Sequence, residues 1–224
     1  SGCGAEGSAS RLKGLVSAAW SDGSGSEPSD SKPEPSDQAA ETSPFKRVAE
    51  PSAPHPDTPA NRRIDDALLE LKMSDESRRK AAERLGRMLP DDTRRKEVAR
   101  ALAEALADAD ETWARQALLE ALMVWFTPET IPAMIECAQD DDFGVRRAAI
   151  AALSHTKDER AARAIADRLG EDGGQAAEAL IAMGPIAEKV AMDYIKHPNR
   201  EVRNRAIEVL GAVGSKDCVP VLMR

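Results

Sequence analysis

An all-α solenoid of about five antiparallel helix pairs, preceded by a disordered linker, is the fold class that the sequence predicts. One pattern recurs along the chain, with copies about 30 residues apart. It consists of an arginine, a small or apolar residue three positions after it and a leucine seven positions after it. Such a period is typical of repeat proteins. Apolar residues at helical spacing precede each copy, which predicts a second amphipathic helix for every repeat.

The composition supports helices and excludes several classes of protein. Aromatic residues make up only 3% of the 224 residues, which disfavours a sheet core. The net charge of -8 provides no basic excess for binding phosphates. No apolar run reaches the roughly 18 residues of a membrane span. Three scattered cysteines, Cys3, Cys137 and Cys218, are too few for a disulfide framework.

Residues 1–60 read as a linker, and residues 61–224 as the solenoid. Serine, proline, glycine and acidic residues dominate the first region, most purely over residues 21–37. Such a composition buries too little apolar area to offset its chain entropy. Residues 11–20 differ, because they place apolar side chains at roughly helical spacing. This stretch is either a docking segment or a marginal helix without a function.

The first residues, Ser1-Gly2-Cys3, resemble the end of a bacterial lipobox, in which the cysteine is lipidated. On this interpretation the linker tethers the repeats to a membrane, and the membrane is reached only through that N-terminal anchor. An ordinary cysteine in a disordered tail is the alternative. The balance slightly favours an extracytoplasmic or membrane-tethered location over a cytoplasmic one.

From residue 61 onward the helices alternate in two classes. The second helices carry the repeated pattern: Arg78-Ala81-Leu85, Arg115-Leu118-Leu122, Arg146-Ala149-Leu153, Gly173-Ala176-Leu180 and Arg203-Ala206-Leu210. The first helices are marked by apolar residues: Ile64-Leu68-Leu71, Val98-Leu102-Leu106, Ile131-Met134-Ile135-Ala138, Ala161-Ala162-Ile165-Leu169 and Val190-Tyr194-Ile195. Polar turns join the two helices of each pair. Adjacent aspartates at 140–142 predict helix caps rather than a cation site.

The pairs resemble HEAT repeats, whose second helix has an aspartate-rich turn followed by Val-Arg-x-x-Ala-x-x-x-Leu. Val145-Arg146 and Val202-Arg203 begin the copies that match this pattern fully. The resemblance implies a right-handed superhelical scaffold. It also implies that Arg115, Arg146 and Arg203 pair with aspartates of adjacent turns in a structural ladder, although they could instead face acidic groups of a partner. The fourth pair departs most, with Gly173 and Gly174 where Val-Arg would start.

No catalytic residue, cofactor site or metal site is predicted. The three histidines, His55, His155 and His197, form neither a HExxH motif nor a pair with cysteine at ligand spacing. We therefore predict a non-enzymatic scaffold that binds a protein or peptide of unknown identity. The predicted binding face lies on the second helices: Arg79, Glu83, Gln116, Glu120, Arg147, Asn204 and Glu208. Trp113, at a helix start, is either an anchor for the partner or packed against the neighbouring turn.

Two other functions stay open at this point. HEAT-like DNA glycosylases bind nucleic acid through a basic groove, but acidic residues outnumber basic ones here, 39 to 31. Some bilin lyase subunits carry similar short repeats, although nothing in the sequence indicates a chromophore site. Residues 217–224 read as the start of a sixth pair, so we expect the solenoid to continue beyond Arg224.

Overall fold

The computed structural model describes residues 58–216, 218–219 and 223. The predictions for the linker, for Cys3 and for residues 11–20 lie outside the described residues, and those for the sixth pair lie largely outside them. Within the described part, the chain forms helices and no strands. None of these helices is long and apolar enough to cross a membrane.

Ten helices occupy the described residues. They are α1 (Pro59–Glu70), α2 (Asp75–Gly86), α3 (Arg95–Asp108), α4 (Thr112–Trp125), α5 (Ile131–Cys137), α6 (Phe143–Ser154), α7 (Glu159–Ala166), α8 (Gly173–Met183), α9 (Pro185–Tyr194) and α10 (Arg200–Val213). Each odd-numbered helix packs against the even-numbered helix that follows it. The chain therefore forms the five helix pairs that the sequence predicts.

The even-numbered helices also pack on one another in chain order, from α2 through α4, α6 and α8 to α10. Among the odd-numbered helices, α7 packs on both α5 and α9, and α1 approaches α3. Stacking of successive pairs along one direction is the arrangement of a solenoid, in which each repeat buries its apolar face against its neighbours. The predicted fold class is confirmed.

The apolar positions of the repeated pattern form the core. Small or apolar residues at the third position after each arginine, and leucines at the seventh, are at most 3% exposed: Ala81, Leu118, Ala149, Ala176, Ala206, Leu85, Leu122, Leu153, Leu180 and Leu210. Alanine lacks the bulk to hold helices apart, so the even-numbered helices approach closely. Trp125 is the largest fully buried side chain, and its Nε1 donates to the carbonyl of Leu85 at 2.8 Å.

The solenoid begins slightly earlier than predicted, at Pro59 instead of residue 61. Thr58 caps the helix, since its side chain accepts a hydrogen bond from the backbone N–H of Asn61 at 3.2 Å. Proline is favoured directly after a cap because its missing N–H has no helical partner there. The last proline of the linker therefore belongs to α1.

Gly184 joins α8 to α9 with φ +70, a conformation that L side chains rarely adopt. We expect Gly184→Ala to lower the free energy of unfolding by about 1–3 kcal/mol. A Cβ there would meet nothing within 4 Å, so the cost is in the backbone alone. Gly211→Ala in α10 is the matched control and should stabilise by about 0.5–1 kcal/mol. Urea denaturation measures both, and shifts of the same sign would contradict this interpretation.

Candidate functional site

Two arginines of the repeated pattern connect successive pairs. Arg115 Nη1 donates to Asp140 Oδ2 at 2.6 Å, and both side chains are buried. Arg115 Nη2 lies 3.6 Å from Cys137 Sγ. Burial raises the pKa of the Cys137 thiol to about 12, which keeps it neutral beside this ion pair. Arg115 therefore links the second repeat to the turn of the third.

Arg146 repeats this connection one pair further along. Its Nε and Nη2 donate to the two carboxylate oxygens of Asp172 at 3.0 and 3.3 Å. Its Nη1 donates to the backbone carbonyls of Asp140 and Asp141 at 3.0 and 2.9 Å. One guanidinium thus fixes both its own turn and the next, while Asp142 caps α6 by accepting from the Val145 N–H at 2.9 Å.

Arg203 departs from the predicted ladder. Its Nη1 donates to the carbonyls of His197 and Pro198, both at 2.8 Å, which is the contact that Arg146 makes with its own turn. Among the described residues Arg203 has no aspartate of an adjacent turn. The physical reason is that no turn of a further pair packs beyond α10 in the described part of the chain.

The fourth helix pair has glycine where the other pairs have the pattern arginine, and a different arginine contacts its turn. Arg168, at the end of its first helix, donates to Asp172 at 2.9–3.0 Å, so this carboxylate lies between two arginines. Gly173 occupies the arginine position, and a Cβ there would lie 3.4 Å from Arg205 Nε. Helix α8 nevertheless packs against both α6 and α10. Arg168 was not identified from the sequence because it lies outside the repeated pattern.

Asp172 should make the stability of the solenoid depend on pH. Burial acts to raise its pKa, but hydrogen bonds from Arg146 and Arg168 outweigh burial, so the pKa lies below its ordinary value. The stabilisation is present above the unfolded pKa of about 3.9 and is lost as the pH falls through the lower folded value. Asp172→Asn should therefore lower stability near neutral pH and reduce the loss on acidification.

Urea midpoints at about pH 6 and at about pH 3 measure this effect. Glu178→Gln, which removes an exposed carboxylate of the same helix, is the control. An Asp172→Asn variant with the same acid dependence as the parent would contradict the assignment of this carboxylate.

The predicted binding face forms one row along the even-numbered helices. In each even-numbered helix the row contains the residue directly after the first position of the repeated pattern and the residue four positions further on. These residues are Arg79 and Glu83, Gln116 and Glu120, Arg147 and Ala151, Gly174 and Glu178, Asn204 and Glu208. None of these residues is buried. Residues four apart share a helix face, so each even-numbered helix contributes one such pair at equivalent positions of its repeat. We call these ten residues the exposed row.

At one end of the exposed row, the structure brings three predicted residues together. The guanidinium carbon of Arg79 lies 5.9 Å from the ring centroid of Trp113, and Trp113 is 39% exposed. Arg79 is also bound to Glu76 at 2.8 Å and to Glu83 at 2.5 Å. Hydrogen bonds from Arg79 and then Lys80 lower the pKa of Glu76 to about 2. A cation over an aromatic face fixes Trp113 while leaving part of its surface open.

A second aromatic residue lies at the next helix start. Phe143 is 58% exposed, and the guanidinium carbon of Arg146 lies 5.8 Å from its ring centroid. Beside it, the Gln116 amide covers Gly144, where a Cβ would lie only 2.2 Å from Nε2. Phe143 was not predicted as a site residue from the sequence, although its position directly before Gly144-Val145-Arg146 places it, like Trp113, at a helix start. Trp113 and Phe143 thus mark two successive junctions.

The remaining predicted residues lie further along the same row. Gln175 Nε2 donates to the carbonyl of Arg147 at 2.9 Å, which joins α8 to α6. Asn204 and Glu208 line a polar groove of about 510 Å³ on α10, where Arg205 pairs with Glu208 at 2.9 Å. They are separated from Trp113 by α6 and α8 and do not share its surroundings. In the part of the chain that the structure describes, no cluster of His, Cys, Asp or Glu could hold a metal ion.

A family model described as HEAT repeats matches residues 99–184. Residues 99–184 carry HEAT repeats. The matched segment runs from within α3 to the glycine after α8, so it contains the buried Arg115–Asp140 pair and both connections of Arg146. Arg115 and Arg146, which connect successive turns, therefore lie within the segment that matches HEAT repeats.

A solved structure has the same fold. It is a chain from the complex of CpcE and CpcF of phycocyanin lyase from Nostoc sp. PCC7120, which is 23% identical and has a TM-score of 0.51. The match covers 82% of this chain and 74% of that chain. No protein with curated annotation matches the sequence. The likeness supports a solenoid fold of helix pairs for most of the chain.

Proposed function

We propose that the HEAT repeats form a non-catalytic scaffold that binds a protein or peptide partner through the exposed row and through Trp113, which lies beside Arg79 of that row. The carrying observation is the position of Trp113, which is stacked by Arg79 yet remains 39% exposed at the junction of α2 and α4. Tryptophan and arginine are the residues most enriched at the energetic centres of protein interfaces. A side chain that is already fixed loses little conformational entropy on binding.

The charges of the exposed row favour a protein over a nucleic acid. Four of its residues are glutamates, namely Glu83, Glu120, Glu178 and Glu208, and two are arginines. Carboxylates repel phosphates, and nucleic-acid binding depends on an excess of basic residues. The solved chain with the same fold comes from a complex of two proteins, which further supports a role in protein association.

Substitution of Trp113 tests this proposal. The full chain first captures a binding protein from an extract of its source cells, and titration calorimetry then measures the affinity of the purified pair. Trp113→Ala should weaken binding about tenfold or more, which corresponds to at least 1.4 kcal/mol. The matched control is Leu89→Ala, which truncates a side chain that is 92% exposed and outside the exposed row. Equal affinities of the two variants would contradict the proposed face.

The solved phycocyanin lyase chain favours one second candidate, an accessory role in attaching a bilin to an acceptor protein. Mixing the full chain with a bilin and its acceptor, and following absorbance of the covalently bound pigment, tests that role. No transfer under conditions in which a known lyase is active would exclude it. The proposed lipidation of Cys3, with an extracytoplasmic location, is checked separately by mass spectrometry of the intact N-terminus.

A further inference from the structure

An open groove lies between α1 and α3, on the opposite helices from the exposed row. It has a volume of about 330 Å³, and its apolar lining consists of Leu68, Leu69 and Ala101. Its charged lining comprises Asp65, Lys72, Glu97, Arg100 and Glu104. Helices α1 and α3 make few contacts with each other, and among the described residues no other helix lines the space between them.

The first helix pair exposes more apolar surface than a terminal repeat normally does. Leu69 is 66% exposed and Met73 is 59% exposed. Leu69 lies near the end of α1, and Met73 lies in the turn that follows it. Terminal repeats of solenoids usually present a polar outer face. Covering these two side chains would remove apolar surface from water, which stabilises by roughly 25 cal/mol per Å².

We propose that residues 11–20 of this same chain bind the α1–α3 groove and cover the first repeat. Within these residues Leu12, Leu15, Val16 and Trp20 follow the spacing of one helix face. Basic Arg11 completes an apolar and basic segment that contains no acidic residue. A short amphipathic segment that packs its apolar face between two helices is a common mode of peptide recognition, and here Leu68, Leu69 and Ala101 would receive that face.

The length of the intervening chain permits this contact. The 37 residues from 21 to 57 end directly before the cap of α1. A flexible chain of that length has a root-mean-square span of roughly 35 Å. The whole of α1 is only about 18 Å long, so the groove lies within reach. A tether of this kind holds the segment at an effective concentration on the order of 1 mM, so even weak binding would keep the groove mostly occupied.

The charges around the groove suit the same occupant. Arg94 already pairs with Asp65 at 2.7 Å and with Glu97 at 2.6 Å. Among the described residues, Glu104 lies 3.8 Å from Arg100, a longer separation than those of the two Arg94 ion pairs. This carboxylate is therefore less tightly held than Asp65 and Glu97 and is placed to meet Arg11 or Lys13 of the segment.

Photo-crosslinking in the full chain tests the proposal. Trp20 is replaced by a photoreactive benzoylphenylalanine, and cross-linked peptides are identified by mass spectrometry. We expect cross-links to residues 65–73 and 97–104. Leu69→Asp should reduce their yield at least severalfold, whereas Leu89→Asp, which alters an exposed leucine outside the groove, should not. The matched position is Phe45, an aromatic residue of the linker outside residues 11–20, which should give few cross-links to the groove.

Three results would overturn the proposal. One is the absence of cross-links from position 20 to α1 and α3, and another is an equal yield from position 45. The third is a majority of cross-links between isotopically light and heavy chains in a mixed sample, because that would make a second copy the occupant. None of these results bears on the exposed row, whose test uses Trp113 and a separate partner.

Discussion

Replacing Arg115 with alanine should lower the free energy of unfolding by about 3–5 kcal/mol, because it leaves the buried Asp140 without its counter-charge. In the native chain the two groups are joined at 2.6 Å, and Asp140 is only 7% exposed. Urea denaturation followed by far-ultraviolet circular dichroism measures the change. We expect the transition to broaden as well, because the lost contact joins the second and third repeats.

Removing both charges of the Arg115–Asp140 ion pair in one variant distinguishes the net stabilisation by the pair from the cost of leaving one buried charge unpaired. Asp140→Asn keeps an oxygen for the Asp142 N–H, from which Asp140 Oδ1 accepts at 2.9 Å in the native chain. The double variant Arg115→Met with Asp140→Asn should therefore recover most of the lost stability. Arg203→Ala, which removes hydrogen bonds only to carbonyls of its own turn, should cost less, about 1–2 kcal/mol. A loss at Arg115 no greater than at Arg203 would argue against the ladder.

Trp125→Ala should cost about 3–5 kcal/mol, since it opens a cavity where the first and second helix pairs meet. Its side chain is fully buried, and its Nε1 donates to the Leu85 carbonyl at 2.8 Å. Trp125→Phe keeps most of the apolar volume and removes one hydrogen bond to that carbonyl, which still accepts from the Met88 N–H at 3.0 Å, so it should cost about 0.5–1.5 kcal/mol. Thermal and urea denaturation of the full chain measure both variants.

The chain provides its own control for this substitution. Trp113→Ala removes the same side chain from an exposed site, where a cation–π contact contributes about 1 kcal/mol or less. We expect Trp113→Ala to affect partner binding far more than folding, and Trp125→Ala to do the reverse. Similar losses of stability in the two variants would contradict the contrast between a core residue and a surface anchor.

The helix pairs were predictable because their signal is local. A leucine seven positions after an arginine lies on the buried face of a 3.6-residue period, and this holds for Leu85 as for Leu210. Partners of the ladder are less local, since Arg115 and Asp140 are 25 residues apart. Their pairing depends on which turns stack. Among the described residues, Arg203 contacts only carbonyls of its own turn, and Arg168 reaches Asp172 from a position outside the repeated pattern.

Only part of the candidate site could be read from the sequence. The exposed row follows from register, because a residue next to each pattern position must face away from the core. The stacking of Arg79 on Trp113 depends on the offset between α2 and α4, which spacing along one helix does not determine. Phe143 escaped notice for a similar reason, since its exposure depends on how the third turn meets Arg146.

Hydrogen–deuterium exchange of the full chain with and without its captured partner tests the binding face most directly. Binding through the exposed row should slow amide exchange at the starts of α2, α4 and α6, around Arg79, Trp113 and Arg147. It should leave α7 and α9 unchanged, because these helices lie outside the row. Protection confined to α7 and α9, with none near Trp113, would contradict a scaffold that binds its partner through the even-numbered helices.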